Sequence, residues 1–276
     1  MSITSPSTDR ISLKRRRPPR TGDGGSPRRV ALGFAGGLIA IAAWYAVSVS
    51  GIVSGRGIPR PDEVITAAWT LFTEQDLLFD IRVSVTRVMI GVIIGSVAAL
   101  PVGFLLAWYP TLRAMVEPLV NFFRALPPIA LVPLVIVYFG IGETARISIL
   151  VYASFFAAVI VLFEGISGID PLLIRAARVL GANRWEIFAR GVVPASVPHL
   201  FTAVRVALGV SWATVVAAEL VAAQRGLGAA IQDASTFYRI PDMYVGIVMI
   251  GIAALVMDLI LKLAQSRMTA WQEKSK

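Results

Sequence analysis

The chain is built from blocks of near-continuous apolar sequence, each close to the ~20 residues a helix needs to cross a hydrocarbon core. A segment of that length in lipid has to satisfy its own backbone, which a helix does. Six such spans fit the hydropathy, at about 30–50, 84–108, 114–138, 146–167, 197–221 and 243–264. Composition agrees: 56% of residues are hydrophobic and 16% charged, with a mean hydropathy of +0.73. Soluble domains carry roughly 25% charged residues. The sequence predicts an all-α integral membrane protein of six transmembrane helices.

The net charge of +9 could suggest nucleic acid, but its placement argues against that. Much of it lies in residues 1–29, where Arg10, Lys14, Arg15, Arg16, Arg17, Arg20, Arg28 and Arg29 outnumber Asp9 and Asp23. That segment is rich in Ser, Pro and Gly and has no hydrophobic period, so it reads as a basic, disordered tail. The run that follows is longer than a signal-peptide core, and no small-x-small cleavage site precedes a soluble domain; an uncleaved first span is expected. Lys and Arg placement sets orientation. With the N-terminus inside, the cytoplasm receives the tail, Arg113, the arginines of the 170–198 loop, and Lys262, Arg267, Lys274 and Lys276. The first external loop is then acidic on balance. This gives a basic tail over 1–29, a membrane domain over 30–267, and a C-terminal tail over 268–276, both termini cytoplasmic. Cysteine is absent, which removes thiol chemistry and Cys-based metal sites.

One segment does not belong among membrane helices. Asp170 to Pro198 reads DPLLIRAARVLGANRWEIFARGVVPASVP and carries Arg175, Arg178, Arg184 and Arg190 with Asp170 and Glu186. It is too long for a plain connection. Asp170-Pro171 supplies an N-cap and first-turn proline, and Leu172, Leu173, Ala176, Ala177 and Leu180 fall at helical spacing. Gly181 stops that helix, and Trp185, Ile187 and Phe188 are placed on a second short helix ending before Pro194. The pattern predicts a helix-turn-helix platform on the membrane surface, suited to docking by another protein. A simple interfacial anchor is the alternative.

Other features carry weaker signals. Pro61–Leu78 reads as an interfacial helix with Asp62 and Glu63 at its positive end. Gly91, Gly95, Ala99 and Gly103 form a small-residue stripe on the second span, and Gly209, Ala213 and Ala217 one on the fifth; such stripes hold helices together in lipid, within a subunit or between two. Leu126-Pro127-Pro128 with Pro133 breaks the third span, either as a bend or where freed carbonyls face a wet pathway. Arg124, Glu164, Arg205, Glu219 and Asp258 are charges within or near spans. Arg205 can snorkel to the interface, and Glu164 and Asp258 lie near cytoplasmic ends. Glu219, before Gly226-Leu227-Gly228 and the semi-polar stretch 224–244, reads as a structural or gating residue. His199, the single histidine, reads as interfacial. No metal-spaced cluster, catalytic triad or phosphate-cradling Gly-Lys-Ser loop is present, so nothing suggests ATP hydrolysis by this chain.

The 170–198 loop resembles the signature cytoplasmic loop of ABC importer permeases: Glu-Ala-Ala, three residues, Gly, then a hydrophobic-x-Leu-Pro ending. Ala176, Ala177, Leu180, Gly181 and Pro194 match in order, while Arg175 stands at the Glu, Gly191 at the first apolar residue and Val193 at the Leu. The resemblance covers about residues 35–272 and is greatest to the taurine, aliphatic sulfonate and nitrate branch. It is carried by Arg124-Ala125-Leu126-Pro127-Pro128, Phe139 to Thr144, RAARVLGANRW at 175–185, Val216 to Leu220, Arg225 to Gly228, and a taurine-permease-like Met268-Thr269-Ala270-Trp271. It implies the type I importer permease fold with a cytoplasmic coupling helix. It also implies a homodimer with two cytoplasmic ATPase subunits, which hold ATP and Mg, and an external solute-binding protein; no cofactor would bind this chain. Asp170, Pro171, Leu173, Arg175, Ala176, Ala177, Leu180, Gly181, Ala182, Trp185 and Pro194 would serve coupling, and Arg124, Pro127, Pro128 and Glu219 pathway or gating. A bacterial inner-membrane location follows, with lipid but no nucleic acid as a partner. An organosulfonate is the expected solute, with nitrate, bicarbonate or a thiamine-precursor pyrimidine as alternatives. A stand-alone secondary transporter or channel is the rival class, but it would leave a paired acid across an internal repeat, and no repeat is evident. A membrane enzyme lacks a catalytic cluster.

Overall fold

The computed structural model describes residues 27–50, 57–221 and 223–269, all helix and connecting turns. Residues 1–26 of the expected tail and 270–276 lie outside the described residues. The chain divides into two units, residues 1–52 and 53–276. The first holds helix α1 (Pro27–Val49), 23 residues long.

In the second unit four helices are long and apolar enough to cross a membrane: α3 (Leu77–Trp108), α6 (Glu143–Ser167), the helix ending at Leu220, and α11 (Ile240–Met268). Among the described residues a fifth crossing exists only if α4 (Pro110–Ala125) and α5 (Pro128–Phe139) count as one span, and these meet at 93°. The expected third span is therefore a right-angled break. Its cause is the Leu126-Pro127-Pro128 corner, where two successive residues lack an N–H and the residue before each proline is held extended, with Leu126 at ψ 120° and Pro127 at ψ 126°. Pro133, expected to share in the break, is accommodated inside α5.

The three central helices are α3, α6 and α9 (Val193–Leu220). Over their most apolar windows α6 is 56% buried and α11 only 11%, so α6 is core and α11 faces outward. The small-residue stripe explains the α3–α6 contact. An added Cβ at Gly95 would fall 2.6 Å from Ser154 Cβ, and one at Gly103 2.8 Å from Leu162 Cβ; at Gly91 it would overlap Leu150. Ala99, between them, is fully buried. The stripe thus packs within the subunit, where close backbone approach replaces the hydrophobic drive that lipid does not supply. Ser154 Oγ, which donates to Leu150 O, also lies 2.7 Å from Ser211 Oγ of α9, an interhelical bond worth about 0.6 kcal/mol in such settings. The second stripe behaves differently. Gly209 has open space where its Cβ would be, and Ala213 is exposed, so this face of α9 has no neighbour among the described residues.

Two boundaries depart from expectation. The helix expected over Pro61–Leu78 is α2 (Pro61–Glu74), and Leu78 already belongs to α3. That helix starts before residue 84 because its first two turns are buried on one side, through Leu77, Asp80 and Ser84. The second departure concerns the expected short helix around Trp185. It begins as α8 (Arg184–Glu186) and passes through a π-turn, Ile187–Val192, straight into α9. It does not end before Pro194. The wider turn lets Val193 N–H donate to Phe188 C=O, five residues back, immediately before the proline that has no N–H to give.

Gly91→Leu should force α3 off α6 and cost at least the ~1–3 kcal/mol typical of overpacking. Gly209→Leu should leave the fold of one subunit intact. Thermal unfolding of the detergent-solubilised proteins checks both.

Candidate functional site

Two polar constructions stand out on this helical frame. The first is the platform between α6 and α9. Asp170 caps α7 (Pro171–Val179), its Oδ1 accepting from Leu172 N–H at 2.8 Å. At the far end Gly181, at φ +89°, donates to Arg178 O, and Ala182 N–H donates to Ala177 O, both at 3.0 Å. This paired closure needs a left-handed residue, which glycine supplies without strain. Asn183 and Glu186 then form a reciprocal capping box, with bonds of 2.8 and 2.9 Å. The platform is a rigid corner whose two acids are spent on holding its own backbone.

What it presents outward follows. Val179 and Leu180 are 88% and 86% exposed, Trp185 71%, and Leu172 and Leu173 63% each. Arg175, Arg178, Arg184 and Arg190 are exposed, as are Pro171 and Ala176; Ala177, Ala182 and Pro194 are half-buried. Leu173, Ala177, Leu180, Gly181, Ala182 and Arg190 line a cavity of about 600 Å³ on the inner side. Trp185 packs on Phe188, which meets Phe104 and Trp108 of α3 edge-on. The structure thus brings the expected coupling residues onto one surface, with Pro194 set back in the first turn of α9.

The expected pathway residues are not brought together. Arg124 is exposed in the last turn of α4, and Pro127 and Pro128 form the corner before α5. No hydrogen bond joins any of them to Glu219, which belongs to the second construction at the Leu220 end of α9.

There Glu219, 1% exposed, accepts from Ser84 Oγ at 2.8 and 2.9 Å, from Arg87 Nη1 at 2.7 Å and from Gly228 N–H at 2.8 Å. Arg87, 4% exposed, also donates to Arg225 O and grips Glu143 with Nε and Nη2. Arg146 donates to the same Glu143 at 2.7 Å. Gly226 N–H donates to Asp80 and Leu227 N–H to Ser84 Oγ, each at 2.9 Å. The turn 225–228 and helix α10 (Leu227–Thr236) are thereby tied to α3 and α9, and only through Arg87 to Glu143 of α6. Glycine is required twice: a Cβ at Gly226 would fall 2.6 Å from the Glu219 carboxyl carbon, and one at Gly228 2.7 Å from Glu219 Cβ.

Sequence reasoning isolates Glu219 and misses its partners Ser84 and Arg87 and the surrounding Asp80, Glu143 and Arg146. A signal was available, since Asp80, Ser84 and Arg87 recur at i, i+4 and i+7 on the face of α3 that also carries Gly91 and Gly95. Arg205 forms a two-pronged pair with Asp258 at 2.7 and 3.2 Å, and Lys262 approaches the same acid at 3.4 Å. Glu164 is exposed. His199 packs over Gly165, where a Cβ would fall 2.6 Å from the ring. Among the described residues no group of His, Asp and Glu could hold a metal.

Residues 91–270 match the family of binding-protein-dependent transport system inner membrane components. The chain belongs to this family. It is 46% identical over 237 residues to a probable ABC transporter permease protein of Brucella abortus (strain 2308), covering 86% of this chain and 94% of that one. It is 34% identical over 250 residues to the taurine transport system permease protein TauC of Escherichia coli (strain K12), with 88% and 90% covered. A chain of the inward-facing MetNI methionine ABC transporter shares its fold, at a TM-score of 0.62 and 22% identity over 70% of this chain and 96% of that chain. The protein is a multi-pass, non-catalytic permease subunit of a binding-protein-dependent ABC importer.

Breaking a buried pair by removing one partner costs roughly 3–5 kcal/mol, so Glu219→Ala should lower stability sharply. Glu143→Gln should do less, because the Glu143 side chain is 56% exposed and water can replace it. Unfolding midpoints in one detergent rank the two.

Proposed function

We propose that this permease carries a small organosulfonate, taurine first, through a homodimer driven by two cytoplasmic ATPase subunits and fed by an external binding protein. The observation that supports the driven mechanism is the platform, a capped corner displaying apolar side chains and arginines, with no nucleotide site anywhere in the sequence to supply energy locally. Asp170, Pro171 and Gly181 would set its shape, and Leu173, Arg175, Ala176, Ala177, Leu180, Ala182 and Trp185 would meet a cleft on each ATPase. ATP and Mg would reside on that partner, and ATP binding would draw the two platforms together and open the pathway outward. Pro194 would fix the junction with α9, through which movement reaches the spans.

In this reading α1 and the bent α4–α5 pair complete six crossings in a bacterial inner membrane, with both termini cytoplasmic. Arg124, Pro127 and Pro128 would border the pathway at the bend, where backbone carbonyls left free by proline can face water. The uncovered α9 stripe, Gly209 and Ala213 with the half-buried Ala217, would meet the twin subunit. The solute assignment draws on the likeness to the taurine permease; nitrate, bicarbonate or a pyrimidine would use the same machinery, since selection lies largely with the binding protein.

Reconstitution with the ATPase and binding protein should give ATP-dependent taurine uptake, and uptake of nitrate in place of alkanesulfonates would reassign the solute. Gly181→Val places a β-branched residue where φ is +89° and should open the platform corner. Membrane insertion should be normal while the ATPase no longer co-purifies and uptake is lost; normal co-purification with normal uptake would contradict the docking role. Gly209→Leu should shift the solubilised complex towards monomer without unfolding it.

A further inference from the structure

Glu219 sits as a free anion would in a receptor. Its donors are a guanidinium (Arg87), a hydroxyl (Ser84) and a first-turn amide of α10 (Gly228), which is the set proteins assemble around carboxylates and phosphates at helix N-termini. The cage is tight, with Ser84 at 0% and Arg87 at 4% exposure and both flanking glycines too close to accept a side chain. It is also self-supporting. Arg87 is held from its other edge by two contacts to Glu143, and Ser84 by the Leu227 amide, so the donors keep their aim without Glu219. Charge closes as well: Arg87, Arg146 and Arg225 face Glu143, Glu219 and Asp80, and deleting Glu219 leaves the group one positive charge in excess.

The receptor sits at the first turn of α10. The far flank of α10 lines an open polar cavity of about 430 Å³ with Leu71, Gln75, Asp80 and Arg239. The grip of α3 on this segment runs through Asp80, Ser84 and Arg87, all aimed at the turn 225–228. We propose that Glu219 is the internal ligand of an anion receptor, a positioning residue whose carboxylate pins α10 to α3 during transport. Emptied by truncation, the receptor takes a small carboxylate from solution. Formate would enter from the Arg87–Glu143 edge, where the Glu143 side chain is 56% exposed.

The test uses the full-length protein carrying Glu219→Ala, in formate, acetate, pivalate or chloride at equal ionic strength. Formate and acetate should raise its unfolding midpoint saturably, as mass action on a native-state site requires. In proteoliposomes with ATPase and binding protein, formate should recover a large part of the lost uptake. Pivalate, too bulky, and chloride, without a planar pair of acceptors, should do neither. Glu219→Gln fills the cage and should show no formate effect, and adding Arg87→Ala to Glu219→Ala should abolish rescue. A midpoint indifferent to formate, equal rescue by chloride, or a Glu219→Ala protein that cannot be recovered even with formate present throughout purification would each overturn the proposal. A rescued midpoint without rescued uptake, where the unsubstituted protein transports, would overturn the role in transport. Failure of the unsubstituted protein to transport would instead count against the permease reading, which the unfolding measurement does not use.

Discussion

The backbone-to-backbone approach of α3 and α6 is the contact to which the other elements of the second unit are referred. Gly91, Gly95 and Gly103 remove the side chains that would hold the helices apart, and in lipid nothing but packing, hydrogen bonds and shape brings them together. Because the approach is so close, it also fixes rotation. The glycine stripe turns Ser84 and Arg87, on the same side of α3 two turns earlier, into the interior, where α6 supplies Glu143 and α9 supplies Glu219. A side chain that costs several kcal/mol when unpaired in an apolar surrounding is placed by the same stripe that makes the surrounding apolar. Packing comes first in this argument, and the electrostatics depend on it.

The two polar constructions solve the same problem differently. Every turn that leaves a membrane helix exposes backbone groups that need partners. At the platform the partners are local: Asp170 serves Leu172, Glu186 and Asn183 serve each other, and the Gly181 closure serves the end of α7. The corner is thus stiff without reference to the spans, and its arginines are left to face outward. At the Leu220 end the partners are remote, since Asp80, Ser84 and Glu219 each take an amide of the turn 226–228. That turn is only as stable as the packing of α3 on α6 and α9.

This difference explains what was legible in the sequence. Most of the platform could be read from local signals, the Asp170 N-cap and the Gly181 stop, while the Asn183–Glu186 capping box went unread. The apolar blocks likewise located α3, α6, α9 and α11, and the double proline located the break between α4 and α5. The junction at Pro194 was misjudged because a proline normally ends a helix, whereas here a π-turn absorbs it. The buried cluster was legible only as the lone charge of Glu219. Its partners are 132 and 135 residues away in sequence for Arg87 and Ser84, and no local pattern links them; the face shared by Asp80, Ser84, Arg87 and Gly91 hints at burial but not at what is met there.

The two constructions differ in how each stores its charge. Arginines left exposed on a locally stiffened corner are available to a second molecule, and their strength can be tuned by what that molecule presents. Carboxylates and guanidinium groups paired inside the helix pack have no such freedom. Arg87 serves Glu143, Glu219 and the Arg225 carbonyl at once, so a displacement of α3, α6, α9 or the 225–228 turn alone would strand a charge. Motion that keeps the cluster whole must therefore carry those elements together. The right-angled α4–α5 corner contributes no bond to the cluster; it is held to α6 instead, by Tyr152 donating to Phe123 O and by Arg113 over the Phe163 ring.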